Sequence, residues 1–199
     1  MIPGASGGRL AVAAPRPAVA APRVAVLVMA AGCAVLTARP LLLGVAGAGP
    51  APVLTVLFLA LLAVSLLWPA TGDSRPGTPI APVVALGIGA FVVGRLLTVG
   101  SPPAPPATAL VVGLNTLAAV AEEAFFRRLV YGALLAGGPA VALAGSAVLF
   151  AAVHVTVYGL WVLPLDLAAG LLLGWQRRAT GSWAVPAVTH AVANLLVVL

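Results

Sequence analysis

The sequence predicts an all-α, polytopic transmembrane helix bundle, and three observations predict it. Mean hydropathy is +1.18. Only 7% of residues are charged against 62% hydrophobic. Apolar runs long enough to cross a bilayer follow one another from residue 24 to the end, broken by Gly, Pro and Arg. A soluble core does not need that much apolar sequence in series. At about 20 residues per crossing, about seven spans fit.

The elements follow in order. Residues 1–22 form an Ala/Pro/Arg/Gly-rich tail with Arg9 and Arg16, which lacks the apolar content to fold and is expected to be disordered. The transmembrane domain takes residues 23–199, with spans near 24–38, 51–70, 79–99, 107–132, 139–159, 161–176 and 182–198. The first span is short and can run past Arg39 towards Gly49. Breaks fall at Arg39-Pro40, TGDSRPGTP, SPPAPP, GGP, Tyr158-Gly159 and RRATGS, the residues that interrupt helices. A signal peptide ending near AGA at 46–48 is the weaker reading of the first apolar run, because so many spans follow it.

Arginine sets the expected orientation. All ten basic residues are Arg. With the N-terminus cytoplasmic, the inner segments hold Arg9, Arg16, Arg23, Arg75, Arg127, Arg128, Arg177 and Arg178, the outer segments hold Arg39, and Arg95 lies within the third span. Scattered arginines without a basic, aromatic-bearing soluble face exclude nucleic-acid binding as a function. The bilayer itself is the expected partner. The single cysteine, Cys33, excludes an internal disulfide and any CxxC site. Trp68, Trp161, Trp175 and Trp183 near span ends read as an aromatic belt. The lysine-free, Ala/Gly/Arg-rich composition suits a GC-rich genome, and the cell (inner) membrane of a bacterium is the expected location.

Few polar groups then remain at membrane depth: Arg95, Asn115, Glu122, Glu123, Arg127, Arg128, His154, Asp166, His190 and Asn194. A charge there costs on the order of 2.5–3.5 kcal/mol on insertion scales, so such groups pair, face the interior or line a wet cavity. Glu123 and Arg127 are four apart and pair on one helix face. Glu122 points about 100° away, on the face of Asn115. Phe150 shares a face with His154, and His190 with Asn194. A carboxylate, an imidazole and an imidazole with an amide are thus expected to converge from three helices. Asp166 and Arg95, each otherwise alone in an apolar helix, are expected to pair as structure.

These residues carry a resemblance. EExxxR (Glu122, Glu123, Arg127), FxxxH (Phe150, His154) and HxxxN (His190, Asn194), in that order on successive apolar helices, resemble the CPBP family of intramembrane proteases. That family includes the CAAX prenyl endopeptidases and the Abi, bacteriocin-immunity-like proteins. The similarity covers about residues 107–199, and Arg128 departs from it where many members carry Gly. The resemblance implies an endopeptidase working at membrane depth, with Glu122 and His154 on the attacking water. His190 and Asn194 then donate to the oxyanion, while Glu123, Arg127 and Phe150 brace the site. It implies a peptide or lipid-modified protein as substrate. The family has been described both as zinc-dependent and as a glutamate-type, metal-independent protease. A zinc set here would be Glu122, His154 and His190. The compact HExxH arrangement is missing, so no obligate metal is expected. The rival readings are a proton-coupled transporter, since membrane Glu/His groups also relay protons, and a catalytically silent scaffold.

Overall fold

The computed structural model describes residues 22–45, 47, 49–69, 77–97 and 107–198. The expected N-terminal tail, with Arg9 and Arg16, lies outside them, as do Arg75 and the SPPAPP break. The described residues are helical, without strands. The helices are α1 (Pro22–Thr37), α2 (Arg39–Val45), α3 (Pro50–Leu67), α4 (Ile80–Leu97), α5 (Ala109–Glu123), α6 (Tyr131–Leu134), α7 (Pro139–Tyr158), α8 (Leu163–Thr180) and α9 (Ala184–Val198). A π-helical segment, Ala124–Val130, joins α5 to α6, and short 3-10 turns follow α6 and precede α8.

The distribution of side chains is that of a membrane protein. Large apolar residues face outward on most helices, with Leu67 84% and Leu97 82% exposed, while Arg39, Glu122, Glu123, Arg127 and Arg177 are buried. In lipid this inversion carries no penalty, because the surrounding medium is itself apolar. Among the described residues, four helices are long and apolar enough to cross a membrane: Pro50–Leu67, Ile80–Leu97, the continuous Ala109–Gly137 and Pro139–Tyr158. The pair α1–α2 makes a fifth if its two parts, bent by 55°, count as one broken span. Helices also occupy the two remaining expected spans but fall short of that test. α8 carries Asp166, Gln176, Arg177 and Arg178, and α9 has 15 residues.

The α1–α2 bend follows from Arg39-Pro40. Pro40 has no N–H to give the Leu36 carbonyl, and its ring crowds that carbonyl. Arg39 Nε donates to the Leu36 carbonyl instead, at 3.1 Å. Thr156 Oγ1 on α7 donates to the Thr37 carbonyl at 2.8 Å, which ties the end of α1 to the bundle. The C-terminal carbonyls of α3 are met by one cation: Arg128 donates to Ser65, Leu66 and Trp68 at 2.9–3.0 Å. Helix ends leave such carbonyls unsatisfied, and a cation suits their partial negative charge. Arg128 therefore caps a helix rather than simply anchoring a loop.

The core gathers Leu36, Leu57, Phe58, Leu61, Phe125, Phe126, Leu129, Phe150 and Val153 from α1, α3, α7 and the π-helical segment. On the other flank, Gln176 Nε2 donates to the Val83 carbonyl at 2.9 Å and to Thr189 Oγ1 at 3.0 Å, joining α8 to α4 and α9. α7 packs most extensively on α8, with Gly170 against Ala147. A Cβ at Gly170 would stand 3.0 Å from Ala147 Cα, so the helices close only because that side chain is absent. Gly170→Leu is expected to cost about 1–3 kcal/mol by overpacking, and Gly170→Ala less. Thermal denaturation of the detergent-solubilised chain checks the order.

Candidate active site

The helix carrying the two acids sets the site. Thr108 caps α5, its Oγ1 accepting from Val111 N–H at 3.2 Å. Glu122 and Glu123 end α5, both buried, and the chain then widens into the π-helical segment, where Tyr131 N–H bonds to the Phe126 carbonyl five residues back. Such segments are rare and often lie at functional sites.

Successive positions on an α-helix diverge by about 100°. Each glutamate consequently meets its own histidine. Glu122 Oε2 lies 3.7 Å from His154 Nε2 of α7. Glu123 Oε1 accepts from His190 Nδ1 of α9 at 3.0 Å. The two imidazoles thus reach the acid helix from different sides, His154 at Glu122 and His190 at Glu123. Phe150 stands between the two halves, its ring centroid 4.7 Å from that of His154 and 5.7 Å from that of His190.

The Glu123–Arg127 pair is present as the i,i+4 spacing predicts, Nε to Oε2 at 3.0 Å and wholly buried. Arg127 also lies over the Phe150 ring, 5.2 Å to its centroid, and Nη1 donates to Ser146 Oγ at 3.3 Å. Arg177 Nε donates to the Arg127 carbonyl at 3.1 Å, and its guanidinium lies 5.2 Å from the Tyr131 ring centroid. Arg127 and Arg177, both counted as inner-loop charges from sequence, are therefore interior groups.

Hydrogen bonding fixes what the imidazoles can do. His154 Nδ1 is 2.7 Å from the Phe150 carbonyl, which can only accept, so Nδ1 carries hydrogen. In its neutral form the ring then presents a bare Nε2 lone pair towards Glu122. Two acceptors facing each other need a donor between or beside them, and water supplies two hydrogens. Asn194 Nδ2 donates to the Asn115 carbonyl at 3.2 Å, which joins α9 to α5 and leaves its second N–H for another acceptor.

Three contributors escaped sequence reasoning. Arg39, expected on an outer segment, is buried and gives Nη1 to Glu122 Oε1 at 3.1 Å. Asp166, expected to pair with Arg95, stands by His154 instead, Oδ2 to Nδ1 at 3.7 Å. Arg95 Nε donates to the Leu196 carbonyl at 3.2 Å. Tyr158, one turn beyond His154, stacks on its ring at 5.9 Å. The one available signal for Arg39 was its isolation: it was the single arginine assigned to the outer side. A cavity of about 290 Å³ opens beside these groups, lined by Arg39, Phe58, Asn115, Tyr158 and neighbouring apolar residues. Among the described residues no three His, Cys, Asp or Glu side chains are grouped to hold a metal ion. Of the set Glu122, His154 and His190, Glu122 meets His154, while His190 Nδ1 meets Glu123.

No curated protein and no solved structure matches the chain. Residues 104–196 match the family described as type II CAAX prenyl endopeptidase Rce1-like. That stretch holds Glu122, Glu123, Arg127, Phe150, His154, His190 and Asn194, but not Arg39. With its apolar helices and its buried acid–histidine pairs, the chain is an integral membrane protein whose residues 104–196 are similar to the Rce1-like family of CAAX-type proteases.

Proposed function

We propose that this protein is an intramembrane endopeptidase in which Glu122, with His154, activates the water that attacks the scissile carbonyl. The observation that carries the reading is the buried Glu122–His154 contact, with Nδ1 of the histidine already committed to Phe150. A water set between Oε2 and Nε2 donates to both. Glu122 takes one proton as the water oxygen bonds to the carbonyl carbon, and the proton passes to the amine as the C–N bond breaks. The oxyanion needs donors. His190, as an imidazolium balanced by Glu123 at Nδ1, offers Nε2–H, and Asn194 offers its second amide hydrogen. Glu123, Arg127 and Phe150 hold these groups in place. The substrate class that the family supports is a prenylated C-terminal peptide, with an unmodified membrane-anchored peptide as the next choice. The cavity beside Arg39 is the approach.

We read α8 and α9 as crossings too, which gives seven with the bent α1–α2 span, and place the N-terminus in the cytoplasm and the protein in a bacterial inner membrane. Setting aside the interior Arg39, Arg127 and Arg177 supports this orientation. Arg9, Arg16, Arg23, Arg75, Arg128 and Arg178 then fall on the inner side, Arg95 stays within a span, and none falls on the outer.

The test is cleavage by the full chain in liposomes, using a farnesylated CAAX-type peptide and an unmodified transmembrane peptide. His154→Ala is expected to lower kcat about 100-fold or more with the fold retained. These steps use side chains alone, so activity is expected to survive chelation. Loss on chelation with recovery on adding zinc would bring a metal into the site. A pH-driven ion flux without proteolysis would favour a transporter, and neither activity would favour a scaffold.

A further inference from the structure

Arg39 lies outside every motif of the site and outside the family-matched stretch, yet it makes the shortest ionic contact to Glu122. Its position is built from several directions. The Arg-Pro step bends the chain and frees the Leu36 carbonyl, which Arg39 Nε takes at 3.1 Å. Phe58 of α3 lies beneath the guanidinium, 5.7 Å to the ring centroid. Thr156, two residues beyond His154, holds the Thr37 carbonyl just before the bend. The helix that supplies the histidine thus also fixes the turn that supplies the arginine. Nη2 is buried without a hydrogen-bond partner among the described residues, so the backbone bond made by Nε uses only part of the guanidinium. A buried charge with a donor to spare is costly unless its remaining contact is worth keeping.

That remaining contact divides the Glu122 carboxylate. Nη1 holds Oε1 at 3.1 Å, and His154 faces Oε2 at 3.7 Å. A glutamate side chain rotates about three bonds, and a base off its line of attack loses rate steeply. With Oε1 fixed, Oε2 has one direction left, towards His154.

We propose that Arg39 is a positioning residue of the catalytic centre: by holding Glu122 Oε1 it presents Oε2 to the water shared with His154, so the α1–α2 bend completes a site that the C-terminal half contains only in part. This rests on Glu122 being the base.

The experiment compares Arg39→Gln, Arg39→Lys and Glu122→Gln with the wild-type full chain in liposomes on the farnesylated peptide. Arg39→Gln is expected to lower kcat about 100-fold while KM stays within about 3-fold, the pattern of a misplaced base rather than of lost binding. Arg39→Lys keeps the cation and is expected to recover at least about 10-fold of that loss, which also covers the case in which Arg39→Gln fails to fold. Infrared spectra give a second readout without turnover. The Glu122 carboxylate band, identified by its loss in Glu122→Gln, is expected to shift in Arg39→Gln. An unchanged kcat in Arg39→Gln, beside an inactive Glu122→Gln, overturns the inference and leaves the endopeptidase reading standing. An unshifted band overturns it too. A wild-type chain that cleaves neither peptide sinks the endopeptidase reading itself, and the catalytic part of this inference with it.

Discussion

Glu122→Gln is expected to lower kcat on the order of 10³-fold, within the range that a positioned general base contributes. The substitution keeps the shape of the side chain, and its amide oxygen still accepts from Arg39 Nη1, so the bend between α1 and α2 keeps its contact. An amide has no use for a proton from water, however, and the oxygen facing His154 becomes an NH₂. The loss therefore falls on the chemical step, not on binding: single-turnover cleavage in liposomes slows while KM holds. Circular dichroism and a thermal melt in the same detergent should match the wild type. A Glu122→Gln chain that still turns over at the wild-type rate would move the base elsewhere, with Asp166 the nearest acid to His154.

The largest effect on stability is expected at Arg127. Its partner Glu123 is fully buried and divides its oxygens between Arg127 and His190. Removing the guanidinium in Arg127→Met leaves a carboxylate in an apolar interior with one imidazole as its counter-charge. It also removes the donor to Ser146 and the cation over Phe150. Breaking a buried pair from one side typically costs about 3–5 kcal/mol. The same principle makes the double change milder: Glu123→Gln with Arg127→Met removes both charges and is expected to recover part of that loss. Denaturant unfolding in mixed micelles, run as a double-mutant cycle, measures it. Equal losses in the single and double variants would mean that packing around Arg127, rather than charge, holds this part of the bundle.

How much of this was legible in the sequence depends on the kind of contact. Helices at α3, α4, α5 and α7 follow from long apolar runs with Gly or Pro at their ends. The Glu123–Arg127 pair follows from a spacing of four. Both are local rules, written along one helix. The pairing of His190 with Glu123 is not local. It depends on the angle at which α9 reaches the acid helix, and a one-dimensional pattern carries no such angle. Arg39 was misread for a related reason. Beside a proline, between two apolar runs, a lone arginine looks like a loop anchor, and only the fold shows the bend turning it inward. Arg95 and Asp166 look like a pair when the chain offers no other partner for either. A backbone carbonyl near the end of α9 and the ring of His154 are partners that no count of charges reveals. The π-helical turn had no signal at all, since AFFRRLV reads as ordinary amphipathic helix.

That wider turn has a genetic consequence. A π-helical turn accommodates one residue more than the tighter winding around it. Losing a single codon between positions 124 and 130 would let the rod rewind without a break, and hydropathy would barely register the change. Everything upstream would keep nearly the same angle to everything downstream, because the residue that is lost is the one the wider turn had absorbed. The same deletion in the regular winding of α5 has no such slack, and it would swivel the two sides by about 100°, the angle that separates the two neighbouring acids. The spare residue is slack in the rod: a codon can be lost there, and not in the tighter winding around it, while the interior stays aligned.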